Sequence, residues 1–406
     1  MNFVTHLECA NCGAQYDKTK PHQLCTSCQK PLWVKYDLAA LKKHFPKKEL
    51  IGRPPTIWRY LEMLPIEKTD CIVSLVETIT PILETKRLGA HFGVEKLYVK
   101  DESRLPTGSF KARGQAMAIS KAKEFGITKV AIPTAGNAGG AMAAYAARAG
   151  MEAWVFMPED TPVINQKECY LAGAHTFLVN GLITDCGRIV GEGKKEKGWF
   201  DISTLKEPYR IEGKKTMGLE LAEQFDWELP DVILYPTGGG TGLIGMWKAF
   251  AELEAVGWLR SPKKPKMISC QSTGCAPIAV AYEKGERFAK KFENAATVAS
   301  GIRAPAAVGD FMIIDAVRQS GGVALATPEA DIPKWMQLAN SREGIAVCPE
   351  TAVCYGALEV LLKNGTIKKS DRVLVFNTGA AQKYPEAVNE KLTRVDCTKP
   401  IEWGKI

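Results

Sequence analysis

The chain has 406 residues and a formal net charge of +8, and 46% of its residues are hydrophobic while 24% are charged. This length and composition predict two or three folded domains, and they exclude a chain that is disordered throughout, collagen-like or a coiled coil. No apolar stretch reaches the roughly 18 uncharged residues of a transmembrane helix, and the lysines form pairs rather than long basic runs. We therefore expect neither a membrane nor a nucleic acid as a partner.

The N-terminal sequence, MNFVTHLECANCG, carries neither the basic head nor the apolar core of a signal peptide. We therefore expect a cytoplasmic protein in a reducing compartment. Most of the twelve cysteines should stay free there and behave as small buried hydrophobes.

The four cysteines nearest the N-terminus form two C-x-x-C pairs, Cys9 with Cys12 and Cys25 with Cys28, separated by twelve residues. Each pair predicts a tight turn that points two thiolates inward, so that the two turns bind one tetrahedral zinc ion. Chance clustering and a pair of disulfides are the alternatives, and the doubled spacing favours zinc. Because four thiolates leave no open position on the metal, we expect a structural zinc ribbon.

Later in the chain, short apolar strands alternate with helices of ten or more residues, after a proline-containing linker over 37–70. The predicted strands are 96–100, 129–133, 151–158, 175–180, 231–236, 267–271 and 372–377. The predicted helices are 109–125, 137–149, 162–172 and one that begins at 242. This alternation is typical of a parallel, doubly wound α/β fold.

The first of three glycine-containing loops is DESRLPTGSFKARG (101–114), and it places Lys111 at the start of a predicted helix. A cation at a helix N-terminus is unfavourable for the helix dipole, so the position favours a neutral, nucleophilic amine. On spacing alone, an ordinary surface lysine remains the alternative.

The second loop, PTAGNAGG (133–140), follows a predicted strand and opens an alanine-rich helix. Its glycines allow a ligand to approach the backbone, and the free amides of a helix start suit a carboxylate. Asn137 offers both a donor and an acceptor. Close helix packing is the alternative explanation for so many small residues.

The third loop, YPTGGGTG (235–242), also joins a strand to a helix. Bare amides at a helix start bind phosphate, and threonine hydroxyls add further donors. The loop lacks the Gly-Lys-Ser/Thr of a Walker motif and the acidic residue of a dinucleotide fingerprint. A phosphate site is therefore favoured over a purely structural glycine cluster.

These three loops, followed by FNTGAAQ (376–382), resemble the fold-type II pyridoxal-phosphate enzymes, and most closely the threonine synthases. The resemblance implies that Lys111 bonds pyridoxal 5'-phosphate, that Asn137 contacts its phenolic oxygen and that Thr378 faces its pyridine nitrogen. It also implies a cup for the cofactor's phosphate formed by Thr237, Gly238, Gly239, Gly240 and Thr241.

The segment STLKEPYRIEGKKT (203–216) resembles the substrate-phosphate motif of threonine synthases. That resemblance assigns phosphate binding to Arg210 and Thr204, and an arginine fork suits a phosphate dianion. It also implies that the substrate contacts Thr134, Ala135 and Gly136. Two stretches depart from the family: Thr204-Leu205 replaces an Asn-Ser pair, and Gly-Ala-Ala-Gln-Lys-Tyr follows Thr378 in place of Gly-His-Gly-Leu-Lys.

The resemblance implies a lyase that converts O-phospho-L-homoserine and water to L-threonine and phosphate, by γ-elimination and β-addition of water. A threonine or serine dehydratase, or an O-phosphoserine-using β-replacement enzyme like the cysteate synthases, is the alternative on the same fold. A zinc-ribbon protein with a non-catalytic binding module is a third hypothesis, and the intact Lys111 argues against it.

For the architecture, the resemblance predicts two doubly wound α/β domains, as in the tryptophan synthase β subunit, with a small N-terminal zinc ribbon. It also predicts a homodimer. The predicted segments are a ribbon (1–36), a linker leading into the cofactor-binding body (37–105), a smaller α/β domain with the lysine and asparagine loops (106–200) and a larger α/β domain with the phosphate cup (201–406).

Overall fold

The structure is a computed structural model that describes residues 2–388, 390–401 and 403–405. Its strands, numbered in chain order, are β1 (Val4–Cys9), β2 (Gln15–Tyr16), β3 (Leu32–Tyr36), β4 (Ile82–Glu84), β5 (Lys96–Asp101), β6 (Lys129–Pro133), β7 (Glu152–Pro158), β8 (His175–Val179), β9 (Phe200–Asp201), β10 (Val232–Pro236), β11 (Lys266–Ser272), β12 (Ala324–Thr327) and β13 (Arg372–Asn377).

The α-helices alternate with these strands beyond residue 85, as the sequence pattern predicts. They are α1 (Leu38–His44), α2 (Lys86–Phe92), α3 (Lys111–Glu124), α4 (Asn137–Ala149), α5 (Val163–Leu171), α6 (Ile183–Lys197), α7 (Tyr209–Gln224), α8 (Thr241–Ala255), α9 (Pro277–Glu283), α10 (Asp310–Gln319), α11 (Ile332–Glu343) and α12 (Pro349–Lys363). Within the described part of the chain, no helix has both the length and the apolar character that crossing a bilayer requires.

The N-terminal segment folds into a three-stranded antiparallel sheet in the order β2-β1-β3. Its apolar side chains, among them Leu7 and Val34, are buried together with Tyr209 at the start of α7. The hydroxyl of Tyr36 donates to Glu212 Oε2 at 2.7 Å, which is a second link to the same helix. The small sheet is therefore packed against the body of the protein.

Two further sheets form that body. The smaller has the order β8-β7-β6-β9 and is parallel throughout, and the larger has the order β12-β11-β10-β13-β5-β4, in which β4 alone is antiparallel. Both sheets have apolar, buried central strands, because helices cover both faces. The predicted doubly wound α/β architecture is confirmed.

The loops of interest follow the carboxyl ends of β5, β6, β10 and β13. In parallel sheets these ends are where ligands bind, since the loops and helix starts converge there. Because β6 belongs to the smaller sheet and the other three strands to the larger, the cavity that these loops line lies between the two sheets.

Close to Lys111 in the chain, α3 takes part in a fully buried network of four charged side chains. They are Lys100, Glu102, Arg113 and Glu220. Arg113 Nε lies 2.6 Å from Glu102 Oε2, and Arg113 Nη1 lies 2.7 Å from Glu220 Oε2. Lys100 Nζ completes the network at 2.5 Å from Glu220 Oε1. Burial alone would raise the pKa of Glu220, but Arg113 and Lys100 hold it at about 2. The network ties β5, α3 and α7 together.

Candidate active site

A cavity of about 480 Å³ lies where these loops meet. Nearly all of the residues that the sequence assigns to cofactor or substrate line it, namely Lys111, Thr134, Ala135, Gly136, Asn137, Thr204, Arg210, Gly238, Gly239, Gly240, Thr241 and Thr378. Thr237 is not among the lining residues, and its hydroxyl donates to the carbonyl of Tyr235 at 2.9 Å. Its predicted part in the phosphate cup stays a prediction.

Lys111 is the first residue of α3, and its Nζ lies 4.0 Å from the ring centroid of Phe110. Burial lowers the pKa of Lys111 to about 8, the carboxylate of Glu350 opposes this shift, and Arg210 reinforces it. The amine therefore gives up its proton more readily than an ordinary lysine does. The sequence argument predicted this direction from the helix dipole, whereas burial is the main cause in the structure.

The loop before α3 is fixed to the segment after β13. The Phe110 N–H donates to the Thr378 carbonyl at 3.0 Å, and the Ala380 N–H donates to the Gly108 carbonyl at 2.8 Å. These bonds place the Thr378 segment beside the lysine loop, and Thr378 lines the cavity. They explain how two motifs about 270 residues apart in the sequence form one site.

The third glycine loop forms a cradle of free backbone donors at the start of α8. Among the hydrogen bonds of the described residues, none uses the N–H groups of Gly238, Gly239, Gly240 or Thr241. Gly240 has a φ of +73°, and an added Cβ there would lie 2.3 Å from Ile313 Cδ1. An added Cβ on Gly239 would lie 2.8 Å from Thr204 Cγ2. The loop therefore needs glycine, and its donors suit a phosphate group.

The asparagine loop is held in shape by its own threonine. Thr134 Oγ1 accepts from the N–H groups of Gly136 and Gly139, both at 3.1 Å. Asn137 Nδ2 donates to the hydroxyl of Tyr384 at 2.6 Å, while its Oδ1 is buried and has no partner among the described residues. An unpartnered buried acceptor is costly, so the site fits a bound group that supplies a donor there.

Arg210 is buried in the first turn of α7, with 1% of its surface exposed. Its Nη1 donates to the Ile202 carbonyl at 2.9 Å and to Thr204 Oγ1 at 3.2 Å, and its Nε has no partner among the described residues. Burial lowers the pKa of Arg210, and Glu207 opposes this shift. Glu207 caps the helix by accepting the Arg210 N–H at 3.1 Å, rather than pairing with the guanidinium.

Leu205, where the resemblance would place a serine, does not face the cavity. Its φ is +63°, which is unusual for a residue with a side chain, and it is 1% exposed. An added Cβ on Gly309 would lie 2.4 Å from Leu205 Cδ1, so the leucine packs into the core. This position therefore supplies no hydroxyl to a ligand in the cavity.

At the mouth of the cavity, an ion pair links a residue beside the smaller sheet to a residue beside the larger sheet. Arg303 lines the cavity and donates to both carboxylate oxygens of Asp160, each at 2.6 Å. Asp160 follows β7 of the smaller sheet, while Arg303 follows the 3-10 turn Ser300–Ile302 beside the larger sheet.

Sequence reasoning missed Glu350 and Tyr384, both of which line the cavity. Glu350 follows a proline at the start of α12, a pattern typical of any helix N-terminus. Tyr384 lies in a short irregular segment after β13. Neither position belongs to a glycine-rich loop, so nothing local in the sequence marks it as part of a site.

The four N-terminal sulfur atoms gather at a second location. All of them lie within 4.8 Å of one another, with 3.4 Å between Cys9 and Cys28 and 3.6 Å between Cys12 and Cys25. The Cys12 N–H lies 3.5 Å from Cys9 Sγ, as expected for an inward-facing turn. Thiolates around a zinc ion with bonds of about 2.3 Å are roughly 3.8 Å apart, so the cluster fits this metal.

Comparisons with known proteins agree with this geometry. Residues 73–379 match the family described as pyridoxal-phosphate dependent enzyme. The chain belongs to this family. A threonine synthase of Methanocaldococcus jannaschii is 33% identical over 393 residues, which cover 96% of each chain. A threonine synthase of Methanosarcina acetivorans is 33% identical over 94% of this chain and 93% of its own.

Solved structures of other enzymes share the fold. Maize serine racemase gives a TM-score of 0.63 at 23% identity and covers 74% of this chain and 88% of its own. The processed form of threonine deaminase isoform 2 from Solanum lycopersicum gives a TM-score of 0.64 at 20% identity, over 83% of this chain and 96% of its own. At these identities the likeness establishes the fold-type II architecture and no more.

Proposed function

We propose that the chain is a threonine synthase, a pyridoxal-phosphate-dependent lyase that converts O-phospho-L-homoserine and water to L-threonine and phosphate. The observation that carries this proposal is the buried Arg210 guanidinium, whose Nε has no partner among the described residues, in the wall of the cavity that Lys111 also lines. Full-length similarity to threonine synthases supports it.

The residues that would hold the cofactor follow from the fit described above. The free amides of Gly238–Thr241 would bind its phosphate, Asn137 and Thr378 would orient its ring, and Lys111 would bond it. Pyridoxal phosphate supplies an electron sink for carbon–hydrogen and carbon–oxygen bond cleavage next to an amino group.

Lys111 would then move protons at its Nζ. A pKa of about 8 leaves the amine able to take a proton from the substrate carbon and to return it later in the cycle.

Arg210 would bind the substrate's phosphate, and Thr204 would assist it through the hydroxyl that already accepts from Nη1. The core-packed Leu205 offers no further donor, so we expect weaker phosphate binding than in family members with the Asn-Ser pair. The substrate's carboxylate would bind at the start of α4, in contact with Thr134, Ala135 and Gly136.

The direct test is phosphate release from O-phosphohomoserine and from O-phosphoserine by the cofactor-loaded protein, with L-threonine identified as product. We expect release with the first compound at least tenfold faster. Release only from O-phosphoserine would favour the β-replacement alternative, and deamination of L-threonine or L-serine without phosphate release would favour the dehydratase.

The proposal also includes a structural zinc ion at the four-cysteine cluster and a homodimer in the cytoplasm. The sulfur geometry supports the zinc ion, and the family resemblance supports the dimer. Sedimentation of the purified protein at micromolar concentration tests the oligomeric state, because a dimer has twice the 44.4 kDa mass of the chain.

A further inference from the structure

The loop between the two cysteine pairs carries a side chain that reaches out of the N-terminal ribbon. Gln23 Nε2 donates to the backbone carbonyl of Asp201 at 2.8 Å, and Gln23 Oε1 accepts from Lys194 Nζ at 2.5 Å. Lys194 lies near the end of α6, and Asp201 is the last residue of β9. Because one amide uses both its donor and its acceptor, the two bonds fix its orientation and join the ribbon to the layer of the smaller sheet.

The ribbon itself holds Gln23 in place. Gln23 lies two residues before Cys25, whose N–H donates to the Lys30 carbonyl at 2.9 Å in the second cysteine turn. Lys30 Nζ in turn lies 5.7 Å from the ring centroid of Phe311 on α10. The ribbon is therefore attached to elements around the larger sheet, and Gln23 extends from this anchored base to the smaller sheet.

Asp201 lies where the smaller sheet ends and the cavity wall begins. The edge strand β9 has only two residues, which pair with β6. The buried Asp201 carboxylate accepts from the Ser203 N–H at 2.9 Å and lies 3.4 Å from Lys206 Nζ, and both of these residues line the cavity. Because so short a strand forms few ladder bonds of its own, a bond from outside the sheet contributes much to its position.

The peptide group after Asp201 leads directly to Arg210. Its carbonyl accepts from Gln23, and its N–H, which belongs to Ile202, donates to the Ala131 carbonyl at 2.9 Å. The next carbonyl, that of Ile202, accepts from Arg210 Nη1 at 2.9 Å. Gln23 therefore holds the peptide group adjacent to the carbonyl that orients the guanidinium.

We propose that Gln23 is a positioning residue of the substrate site: its amide holds the peptide group between Asp201 and Ile202, and through the Ile202 carbonyl it keeps Arg210 directed towards a phosphate in the cavity. The ribbon thereby acts on substrate binding from outside the cavity lining. The inference rests on the proposed function for the identity of the substrate, whereas the link from Gln23 to the segment 201–206 is a property of the chain alone.

The test compares Gln23→Ala with the parent as full-length, cofactor-loaded protein. Loss of the two bonds should raise KM for O-phosphohomoserine about fivefold and leave kcat within about twofold, because the lost contacts orient the phosphate ligand rather than the reacting atoms. Hydrogen exchange followed by mass spectrometry should become at least about threefold faster in a peptide covering 199–208 and stay unchanged in a peptide covering β10.

Two further variants separate the two bonds. Gln23→Glu keeps the acceptor for Lys194 but has no donor for the Asp201 carbonyl, so it should match Gln23→Ala. Lys194→Met removes only the other bond, and it should change KM by less than about twofold, since that bond is exposed. The matched control is Lys20→Ala in the same loop, where the side chain is exposed, and it should change neither KM nor exchange.

An unchanged KM in a folded, active Gln23→Ala protein would overturn the proposal. Exchange that becomes faster throughout the chain would overturn it as well, since that result identifies a general stabilising role. If the parent releases no phosphate from O-phosphohomoserine, the proposed function fails separately. Faster exchange confined to 199–208 in Gln23→Ala would then still support the link between the ribbon and the cavity wall, and unchanged exchange would reject it.

Discussion

Arg210 is the residue with the greatest bearing on which substrate the cavity accepts. Two of its donors are already used by Ile202 and Thr204, so the remaining face of the guanidinium is oriented before any ligand arrives. Preorganised donors lose little entropy on binding, and hydrogen bonds between an arginine and a phosphate contribute about 1.5–3 kcal/mol each.

We expect Arg210→Ala to lower kcat/KM for O-phosphohomoserine about a hundredfold, which corresponds to about 2.7 kcal/mol. The same change should have little effect on an unphosphorylated amino acid such as L-serine. Steady-state kinetics with both compounds measure this difference. Arg210→Lys, which keeps the charge but loses the fork, should give an intermediate loss.

Arg188→Ala is the matched control, since Arg188 also lines the cavity but is exposed and paired with Glu192. It should change kcat/KM by less than about threefold. Equal losses with phosphorylated and unphosphorylated compounds in Arg210→Ala would identify Arg210 as a structural residue and remove the main support for a phosphorylated substrate.

At this scale, local patterns predicted some residues and missed others for a physical reason. Lys111 and Asn137 lie in glycine-rich loops whose backbone must approach a ligand, so the loop pattern in the sequence identifies them. Glu350 and Tyr384 reach the cavity from ordinary helix and coil segments, and only the fold brings them there. The individual roles assigned to the site residues stay predictions.

At the scale of elements, α3 and α7 cross with almost no space between their backbones. An added Cβ on Gly213 would lie 2.1 Å from the Arg113 carbonyl oxygen, and one on Gly114 would lie 2.9 Å from Lys214 Cε. Lys214 is fully buried, and its Nζ donates to the Phe110 carbonyl, immediately before Lys111. The crossing therefore fixes the start of the helix that carries the reactive lysine.

We expect Gly213→Ala to lower the free energy of unfolding by about 1–3 kcal/mol, because the methyl group meets backbone atoms that cannot move aside. Thermal or denaturant unfolding measures the change. The control is Gly191→Ala in the middle of α6, where an added Cβ meets nothing within 4 Å. That variant should be as stable as the parent or slightly more stable. Equal stability of both variants would contradict the tight crossing.

The predicted elements and the observed ones agree best where the strands are long and buried. The segments 129–133 and 372–377 form strands over their full predicted length. The strands β4, β9 and β12 went unpredicted, because two to four residues are too few to show a periodic pattern. Their places at or near sheet edges depend on long-range pairing, which a local pattern does not contain.

At the scale of the whole molecule, the N-terminal ribbon lies far along the chain from the helix it packs against. The bond from Tyr36 to Glu212 and the shared apolar cluster with Tyr209 make its folding part of the folding of the body. None of its four cysteines lines the cavity. We therefore expect metal at this cluster to affect stability more than chemistry.

Elemental analysis of protein purified without chelator should find about one zinc ion per chain, and Cys25→Ser should lose it and unfold at a lower temperature. The remaining folded enzyme should keep its kcat within about threefold. Cys71→Ser is the control, since Cys71 is a free cysteine outside the cluster and should retain both metal and stability. Protein without metal but with unchanged stability would contradict the structural role.

The segment boundaries drawn from the sequence at 36, 105 and 200 stay predictions, although the sheets show how they relate to the structure. The strands β4 and β5 lie before residue 105 in the chain but pair at one edge of the larger sheet, beside β13. A sequence divided by position alone cannot show that an early segment completes a late sheet.

The buried network of Lys100, Glu102, Arg113 and Glu220 has a consequence for how this protein can change over evolutionary time. Its two positive and two negative side chains neutralise one another only when all four are present. Loss of one partner leaves a buried charge unpaired and lowers the free energy of unfolding by about 3–5 kcal/mol. A single exchange at any of the four positions would therefore be removed by selection before a second could compensate. These positions should accordingly stay constant or be replaced jointly across lineages, even though none of them lines the cavity.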